Sequence, residues 1–526
     1  MNDAAAILEA RKGEVGGPYA WYVLGVLVLV YVLNFIDRQI ISILAEDIKA
    51  DLGVTDADMG FLYGTAFGVF YSLFGIPLGR LADMWYRGRL MTIGLSVWSA
   101  MTALSGFAQN FGQLAAARIG VGIGEATASP CAFSIISDYF PREKRATALA
   151  IYSSGLYLGG GLSLFIGGVI VQSWNRAFPD GGPLGLAGWQ AAFLTVGLPG
   201  LLLALWVLTL REPLRGMSEG ILSPPEPSPW PKFFTELSSV IPPFTLVQAA
   251  RVGRRAFAVN LSGLIVVVLG AAAMIMLTGD TLQWGAIGIG CYSVFSWSQS
   301  LKRRDPPTYQ LIWGTPTFLL AILGFGSIAF VTYAVSFWSA PYAIRTFGAD
   351  PAIVGLIIGG VGAAGGFIGV IAGGRLADWA KSRWQAGDIL VATLGVIVPA
   401  PLMLLVYTTE SLTIFYLAFV PMAIINSCWV GIAAATSQNL VLPRMRGAAT
   451  ATYFLGTTLV GLGLGPYFAG KMSLITGSLG TGILSLLIAG PVTLICLWFV
   501  WRQLPQAEAT RMDRAAAAGE VYAGQA

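Results

Sequence analysis

Long apolar segments recur along the chain, separated by short stretches that carry charges, glycines and prolines. A helix that crosses the hydrocarbon core of a bilayer needs about 20 mainly apolar residues. The pattern therefore predicts an all-α membrane protein. Fourteen spans are predicted: residues 20–44, 59–82, 90–108, 112–138, 143–173, 187–210, 257–278, 282–299, 314–344, 352–374, 389–408, 412–440, 447–471 and 480–502.

The predicted spans form two bundles of six with an extra pair of helices between them. Thr278-Gly279-Asp280 joins the extra pair, and two added crossings leave the topology of both bundles unchanged. Prolines at 224, 225, 227, 229 and 231 predict an extended connector before this pair. The predicted divisions are an N-terminal tail (1–18), a first bundle (19–212), the connector (213–255), the hairpin (256–300), a second bundle (301–503) and a C-terminal tail (504–526).

An internal repeat links the two bundles. Gly79-Arg80-Leu81-Ala82-Asp83 follows the second span, and Gly374-Arg375-Leu376-Ala377-Asp378 follows its counterpart in the second bundle. Pro141-Arg142 and Pro443-Arg444 also precede corresponding spans. Chance similarity between apolar helices is the alternative explanation. Repeated six-helix halves are typical of transporters in which the substrate path lies between the halves.

Composition and charge agree with this architecture. Of the 526 residues 56% are hydrophobic and 11% charged, against about a quarter charged in soluble domains. All but six of the 31 lysines and arginines lie in loops on one predicted side, which places both termini in the cytoplasm. On the other side Thr55 and Asp58 resemble a capping box that opens the second span. The first residues lack the basic and apolar regions of a cleavable signal, so we expect the first span to direct insertion. The absence of histidine and the Ala/Gly/Arg-rich tails favour a bacterial inner membrane.

Several kinds of chemistry are excluded or disfavoured. The chain has no histidine, which excludes histidine metal sites and Ser-His-Asp or Cys-His nucleophile pairs. No phosphate-binding loop of the G-x-x-x-x-G-K-[ST] type occurs, so ATP is not predicted to drive the protein. We expect no enzyme activity, no metal, no cofactor and no nucleic-acid partner. Four cysteines without C-x-x-C spacing are interpreted as core residues: Cys131, Cys291, Cys428 and Cys496.

Four charged residues lie deep within predicted spans, all in the first half: Asp37, Arg38, Arg118 and Glu125. Each costs roughly 2.5 to 3.5 kcal/mol at the bilayer centre unless it is paired or hydrated. Arg118 and Glu125 are two turns apart, about 10 Å along one helix face. The four can rest as two ion pairs and are the predicted substrate and proton-coupling site. A permanent ion-pair network that fixes helix register is the alternative.

Polar and aromatic residues elsewhere are candidates to line a cavity for an amphiphile: Tyr152, Tyr333, Ser336, Trp338, Asn426, Trp429 and Gln438. Ordinary helix packing is the alternative for each of them.

The GRLAD motif with Arg87 and Arg89, its repeat, and the sequence from Arg118 to Ala126 resemble signature motifs of the major facilitator superfamily. Within that superfamily, residues 33–38, 124–126 and 136–141 are similar to the Spinster family, whose better-known members move sphingosine-1-phosphate or lysophospholipids. The resemblance covers both bundles but not the hairpin. The aspartate-arginine pair at Asp37 also occurs in symporters of sugar acids.

The resemblance implies a cytoplasmic gate that holds the halves together in the outward-facing state, formed by Asp83, Arg87, Asp138, Arg142 and Arg145. The loop departs from the usual motif at Met84, Tyr86 and Gly88.

Together these features predict a proton-coupled secondary transporter that works by alternating access. The predicted substrate is a sphingosine-1-phosphate-like or lysophospholipid amphiphile, with Arg38 and Arg118 on its phosphate and Asp37 and Glu125 on its ammonium or on the proton. The alternative is a proton-coupled symporter of a small organic anion such as a sugar acid. Protons, the amphiphilic lipid substrate and membrane lipids are the expected partners of a monomer.

Overall fold

The computed structural model describes residues 12–179, 181–219 and 226–520. No β-strand occurs in these ranges. Twelve helices within them are long and apolar enough to cross a membrane, so the chain is an integral, multi-pass membrane protein. They are α1 (Pro18–Ile43), α2 (Asp56–Met84), α4 (Phe111–Tyr139), α5 (Arg142–Ala177), α6 (Gly188–Leu208), α9 (Arg254–Thr278), α11 (Pro316–Phe347), α12 (Pro351–Arg383), α13 (Gly387–Thr408), α14 (Leu412–Asn439), α15 (Pro443–Thr476) and α16 (Leu479–Ala509).

The prediction of fourteen spans is not supported. The spans predicted at 90–108 and 282–299 fall on α3 (Arg87–Ser105) and α10 (Thr281–Arg304), which are helices but are not among the twelve. Their sequences are more polar, because α3 opens with two arginines and α10 carries serines and ends in three basic residues. A hairpin of two crossings between the bundles is therefore unsupported, although α9 and α10 pack against each other.

The predicted extended conformation of the connector is wrong beyond residue 228. Two helices occupy it, α7 (Pro229–Val240) and α8 (Phe244–Val252). Proline is tolerated in the first turn of a helix, where its missing N–H has no intrahelical partner. Pro224 and Pro225 lie outside the described residues, as do residues 1–11 and 521–526 of the predicted tails.

The chain folds as two compact units that do not coincide with the two predicted bundles. The first unit contains the residues up to Leu52, Phe74–Leu237 and Asp350–Gly360, and the second contains Gly53–Leu73, Ser238–Ala349 and the chain from Val361 onward. Boundaries therefore fall within α2, α7 and α12.

Close helix contacts explain this division. In the first unit the start of α12 packs on α5, where a Cβ at Gly355 would lie 2.2 Å from the carbonyl oxygen of Leu164. In the second unit the start of α2 packs on α15, where a Cβ at Gly60 would lie 2.4 Å from the carbonyl oxygen of Pro466. Asp56 at the start of α2 also forms a two-point ion pair with Arg345, at 2.8 and 2.7 Å.

The predicted capping box at the start of α2 is confirmed. The Thr55 hydroxyl oxygen accepts the Asp58 N–H at 3.2 Å, and the Asp58 carboxylate accepts the Thr55 N–H at 2.9 Å. These bonds satisfy donors that the first turn of a helix otherwise leaves unpaired.

Replacing Thr55 with Ala should lower the free energy of unfolding by about 1 kcal/mol, because the first turn of α2 loses its side-chain acceptor. Thermal unfolding in detergent measures the change, and Thr55→Ser, which keeps the hydroxyl, is the control. Equal unfolding midpoints for the two variants would show that the cap does not stabilise α2.

Candidate functional site

The deep charges of the first unit come from two helices. Asp37 and Arg38 lie on α1, and Arg118 and Glu125 lie on α4. Arg38 donates two hydrogen bonds to one oxygen of Glu125, from Nε at 3.1 Å and from Nη2 at 2.7 Å. The Glu125 side chain is fully buried and the Arg38 side chain is 12% exposed. A buried carboxylate is thus neutralised by an arginine that still reaches an accessible surface.

Arg118 is fully buried and binds the backbone of α1. Its Nη1 donates to the carbonyl oxygen of Asp37 at 3.1 Å, and its Nη2 donates to that of Arg38 at 3.3 Å. These bonds hold α4 against α1 at Asp37 and Arg38, the two charged residues that α1 contributes. Arg118 therefore positions the site as well as contributing charge to it.

Asp37 makes neither an ion pair nor a hydrogen bond through its carboxylate with any described residue, although it is fully buried. The prediction of two ion pairs is therefore wrong for Asp37. Trp98 and Thr102 of α3 lie beside this carboxylate, yet the indole N–H and the hydroxyl also lack a hydrogen-bond partner among the described residues. Asn34 lies beside Glu125 with its Nδ2 unpaired in the same way.

Such a concentration of unpaired buried polar atoms is unusual, because most buried polar groups in folded proteins are hydrogen-bonded. It suits a ligand that brings donors and acceptors of its own, or a carboxylate that takes up a proton. Asn34, Trp98 and Thr102 were not predicted from the sequence, since uncharged residues in an apolar helix give no distinguishing signal.

Of the five residues predicted to form the gate, Arg87 and Asp138 meet in a buried ion pair. Arg87 is fully buried, and its guanidinium also donates to Ser134 and to Glu212, each at 2.8 Å. Glu212 further accepts the backbone N–H groups of Arg87 and Gly88 at 3.2 and 2.9 Å. A carboxylate at a helix N-terminus is favourable, so Glu212 both caps α3 and holds Arg87.

The other three predicted gate residues do not join Arg87. Arg142 and Arg145 pair with Glu219, at 3.3 and 3.0 Å. Their hydrogen bonds lower the pKa of Glu219, so this contact persists at neutral pH and weakens in acid. Asp83 is exposed and forms no ion pair with a described residue. Sequence reasoning missed Glu212 and Glu219, because acidic residues in a polar connector are usually solvated.

The candidate lining residues of the second unit are mainly packed. Trp338 is fully buried and donates its indole N–H to the carbonyl oxygen of Pro466 at 2.9 Å. Trp429 stacks on Phe325 within the apolar core, and Tyr333 packs against that core. Asn426 is buried and follows Leu412–Ile425, the first of two helical segments that make up α14. In the first unit Tyr152 is buried too and stacks on Tyr31, with ring centroids 4.4 Å apart.

The chain is similar to known membrane transporters in sequence and in structure. The family model of the Major Facilitator Superfamily matches residues 27–466. An MFS-type efflux pump of Mycolicibacterium smegmatis is 27% identical over 95% of this chain and 96% of its own length. A bacterial homolog to the human lysosomal transporter Spinster, solved in an inward-facing and unoccupied conformation, is 26% identical, with a TM-score of 0.65, over 94% of this chain and 98% of that chain. A probable L-galactonate transporter of Escherichia coli is 29% identical over 34% of this chain and 37% of its own length.

Proposed function

Because this chain belongs to the Major Facilitator Superfamily and is a transporter that resembles Spinster, we propose that it is a proton-coupled secondary transporter of a lipid amphiphile. It works by alternating access, and its substrate is a sphingosine-1-phosphate-like or lysophospholipid molecule. The observation that carries this proposal is the buried cluster of Asp37, Arg38, Arg118 and Glu125. Intramembrane ionisable residues are by default functional, since they are costly to insert.

The geometry supports separate roles for the two carboxylates. Glu125 is held by Arg38, so a phosphate that binds Arg38 competes with Glu125 for the same donors. Once released, Glu125 can take up a proton or bind the ammonium group of the substrate. Asp37, which has no partner among the described residues, is a second proton acceptor. Substrate and proton thereby exchange places on one cluster, which couples their movements.

The first unit also supplies the gate. The Arg87 network of Asp138 and Glu212 holds the start of α3, which follows the GRLAD motif at the end of α2. We propose that this network, with Asp83, Arg142 and Arg145, controls access from the cytoplasm. We also propose that both termini lie in the cytoplasm of a bacterial cell. The protein is proposed to act as a monomer.

A small organic anion such as a sugar acid is the second candidate substrate. The similarity to a probable L-galactonate transporter favours it, and so does the burial of Trp338 within packing contacts, which removes apolar surface from a possible lipid site. Both candidate substrates would place an anionic group on the same arginines. The residues around the rest of the substrate, apolar for a lipid and polar for a sugar acid, therefore distinguish the two candidates.

Uptake of labelled lysophospholipid and of labelled L-galactonate into proteoliposomes tests the two candidates side by side. We expect uptake of the lysophospholipid, and Arg118→Ala should reduce it roughly tenfold or more because a buried charged hydrogen-bond donor is lost. Arg176→Ala, at an exposed position in the last turn of α5, is the matched control. Uptake of galactonate without lysophospholipid would move the assignment to the second candidate.

A further inference from the structure

The open end of the α9–α10 hairpin gathers basic side chains from both helices. The two helices have 25 and 24 residues and are joined by Gly279 and Asp280. Their register is fixed by contacts in the middle, where Gly263 faces the Phe295 ring and Gly288 faces Ala271. Extended to the open end, this register brings the first turn of α9 beside the last turn of α10.

We call this cluster the hairpin base: Arg251, Arg254, Arg255, Lys302, Arg303 and Arg304. All six side chains are exposed. No ion pair with a described residue involves Arg251, Arg254, Arg255 or Arg303. The acidic residue next along the chain, Asp305, is already paired with Arg444 at 2.8 Å. Arg251, Arg254, Arg255 and Arg303 are therefore not neutralised by carboxylates of the described residues.

The position of Arg254 and Arg255 adds to this excess of charge. They occupy the first turn of α9, which contains no acidic residue. The N-terminus of a helix carries partial positive charge, so cations are unfavourable there. Lys302, Arg303 and Arg304 at the C-terminus of α10 do complement their own helix dipole. Arg254 and Arg255 have no favourable interaction with the dipole of α9. An external anion bound to them would stabilise their charge at this position.

Apolar surface surrounds the hairpin base. α8 buries Thr245 and Ala249 but exposes Phe244, Val247 and Val252. Gly253, at φ 144°, turns the chain from α8 into α9 in a conformation that other residues rarely adopt. α9 itself is apolar and exposed over most of its length. A short amphipathic helix beside the basic end of an apolar span is typical of the boundary between lipid tails and headgroups.

We propose that the hairpin base binds the headgroups of anionic phospholipids in the adjacent leaflet. Guanidinium groups form charge-assisted hydrogen bonds with phosphate oxygens, and a cluster of four to eight cations beside a membrane span attracts anionic lipid. The exposed face of α8 and the apolar surface of α9 contact the acyl chains of the same lipids. This site is separate from the transport cluster in the first unit.

The test uses the full chain in nanodiscs of phosphatidylcholine alone and in nanodiscs with about a quarter phosphatidylglycerol. Thermal unfolding midpoints and phosphatidylglycerol retained in native mass spectra are measured for the parent and for Arg254→Gln/Arg255→Gln. Arg383→Gln/Arg502→Gln removes two exposed cations outside the hairpin base and is the control. We expect phosphatidylglycerol to raise the midpoint of the parent and of the control, and the rise and the retained lipid to be largely lost in the test variant.

An undiminished rise and unchanged lipid retention in Arg254→Gln/Arg255→Gln would overturn the proposal. Inorganic phosphate added to phosphatidylcholine nanodiscs at matched ionic strength separates the two sources of phosphate, and an equal rise with phosphate alone would also overturn it. If the double variant does not fold, Arg255→Gln alone is compared by lipid retention against Arg383→Gln, with the same two outcomes.

Discussion

Replacing Glu125 with Gln should remove the response of transport to a pH gradient. Glutamine keeps the shape of the side chain but cannot release a proton, and Arg38 loses its anionic partner. A hydrogen bond to a charged group contributes about 1.5 to 3 kcal/mol, so uptake driven by a gradient should fall roughly ten- to hundredfold. Substrate uptake into proteoliposomes, measured with and without an imposed gradient, gives the result directly.

The matched control for this experiment is Glu46→Gln in the short helix Ala45–Leu52. Glu46 is also acidic, but its side chain is 25% exposed, and its ion pair with Lys49 is long, at 3.9 Å. We expect this variant to retain the parent's rate and gradient dependence. Full gradient dependence in Glu125→Gln would show that Glu125 is not the proton carrier, and would leave Asp37 as the remaining deep carboxylate.

The second large effect is expected at Arg87, and it concerns stability. Arg87→Ala removes the bonds to Asp138, Ser134 and Glu212 and leaves two carboxylates without their cation. Removing one partner of a buried ion pair destabilises a protein by about 3 to 5 kcal/mol. The unfolding midpoint in detergent should drop sharply, and Arg87→Lys should recover part of the loss because it restores the charge but not the planar geometry.

Arg89 lies two residues away and is the control for Arg87. It is exposed, and its guanidinium lies over the Tyr86 ring, 4.9 Å from the centroid. Substitutions at such surface positions usually change stability by less than about 0.5 kcal/mol. A midpoint for Arg87→Ala that matches Arg89→Ala would contradict the stabilising role of the Arg87 network.

Much of the helical architecture was predictable because each apolar segment must satisfy its own backbone hydrogen bonds in a bilayer. The capping box of Thr55 and the burial of Asp37, Arg118 and Glu125 were also predictable, since both follow from local sequence. The division of the chain was not predictable. The starts of α2 and α12 belong to a different unit from the rest of their own helices, because of close contacts at glycines such as Gly60 and Gly355. Hydropathy carries no information about which helices approach closely.

The partners within the site were predicted less well than its members. Arg38 and Glu125 form the expected pair, but Arg118 binds backbone carbonyl groups and Asp37 faces Trp98 and Thr102 of α3. Pairing depends on the relative rotation of α1, α3 and α4, and residue spacing along one helix does not fix that rotation. Sequence could therefore identify the charges, whereas their hydrogen bonds required the fold.

The most direct test of the central claim is to measure proton movement caused by the substrate. Proteoliposomes that contain a pH-sensitive dye receive a lysophospholipid gradient with no imposed pH gradient. Coupling through the cluster of Asp37, Arg38, Arg118 and Glu125 predicts a change of internal pH in the parent and none in Glu125→Gln. Lysophospholipid transport by the parent with no change of internal pH would contradict the account.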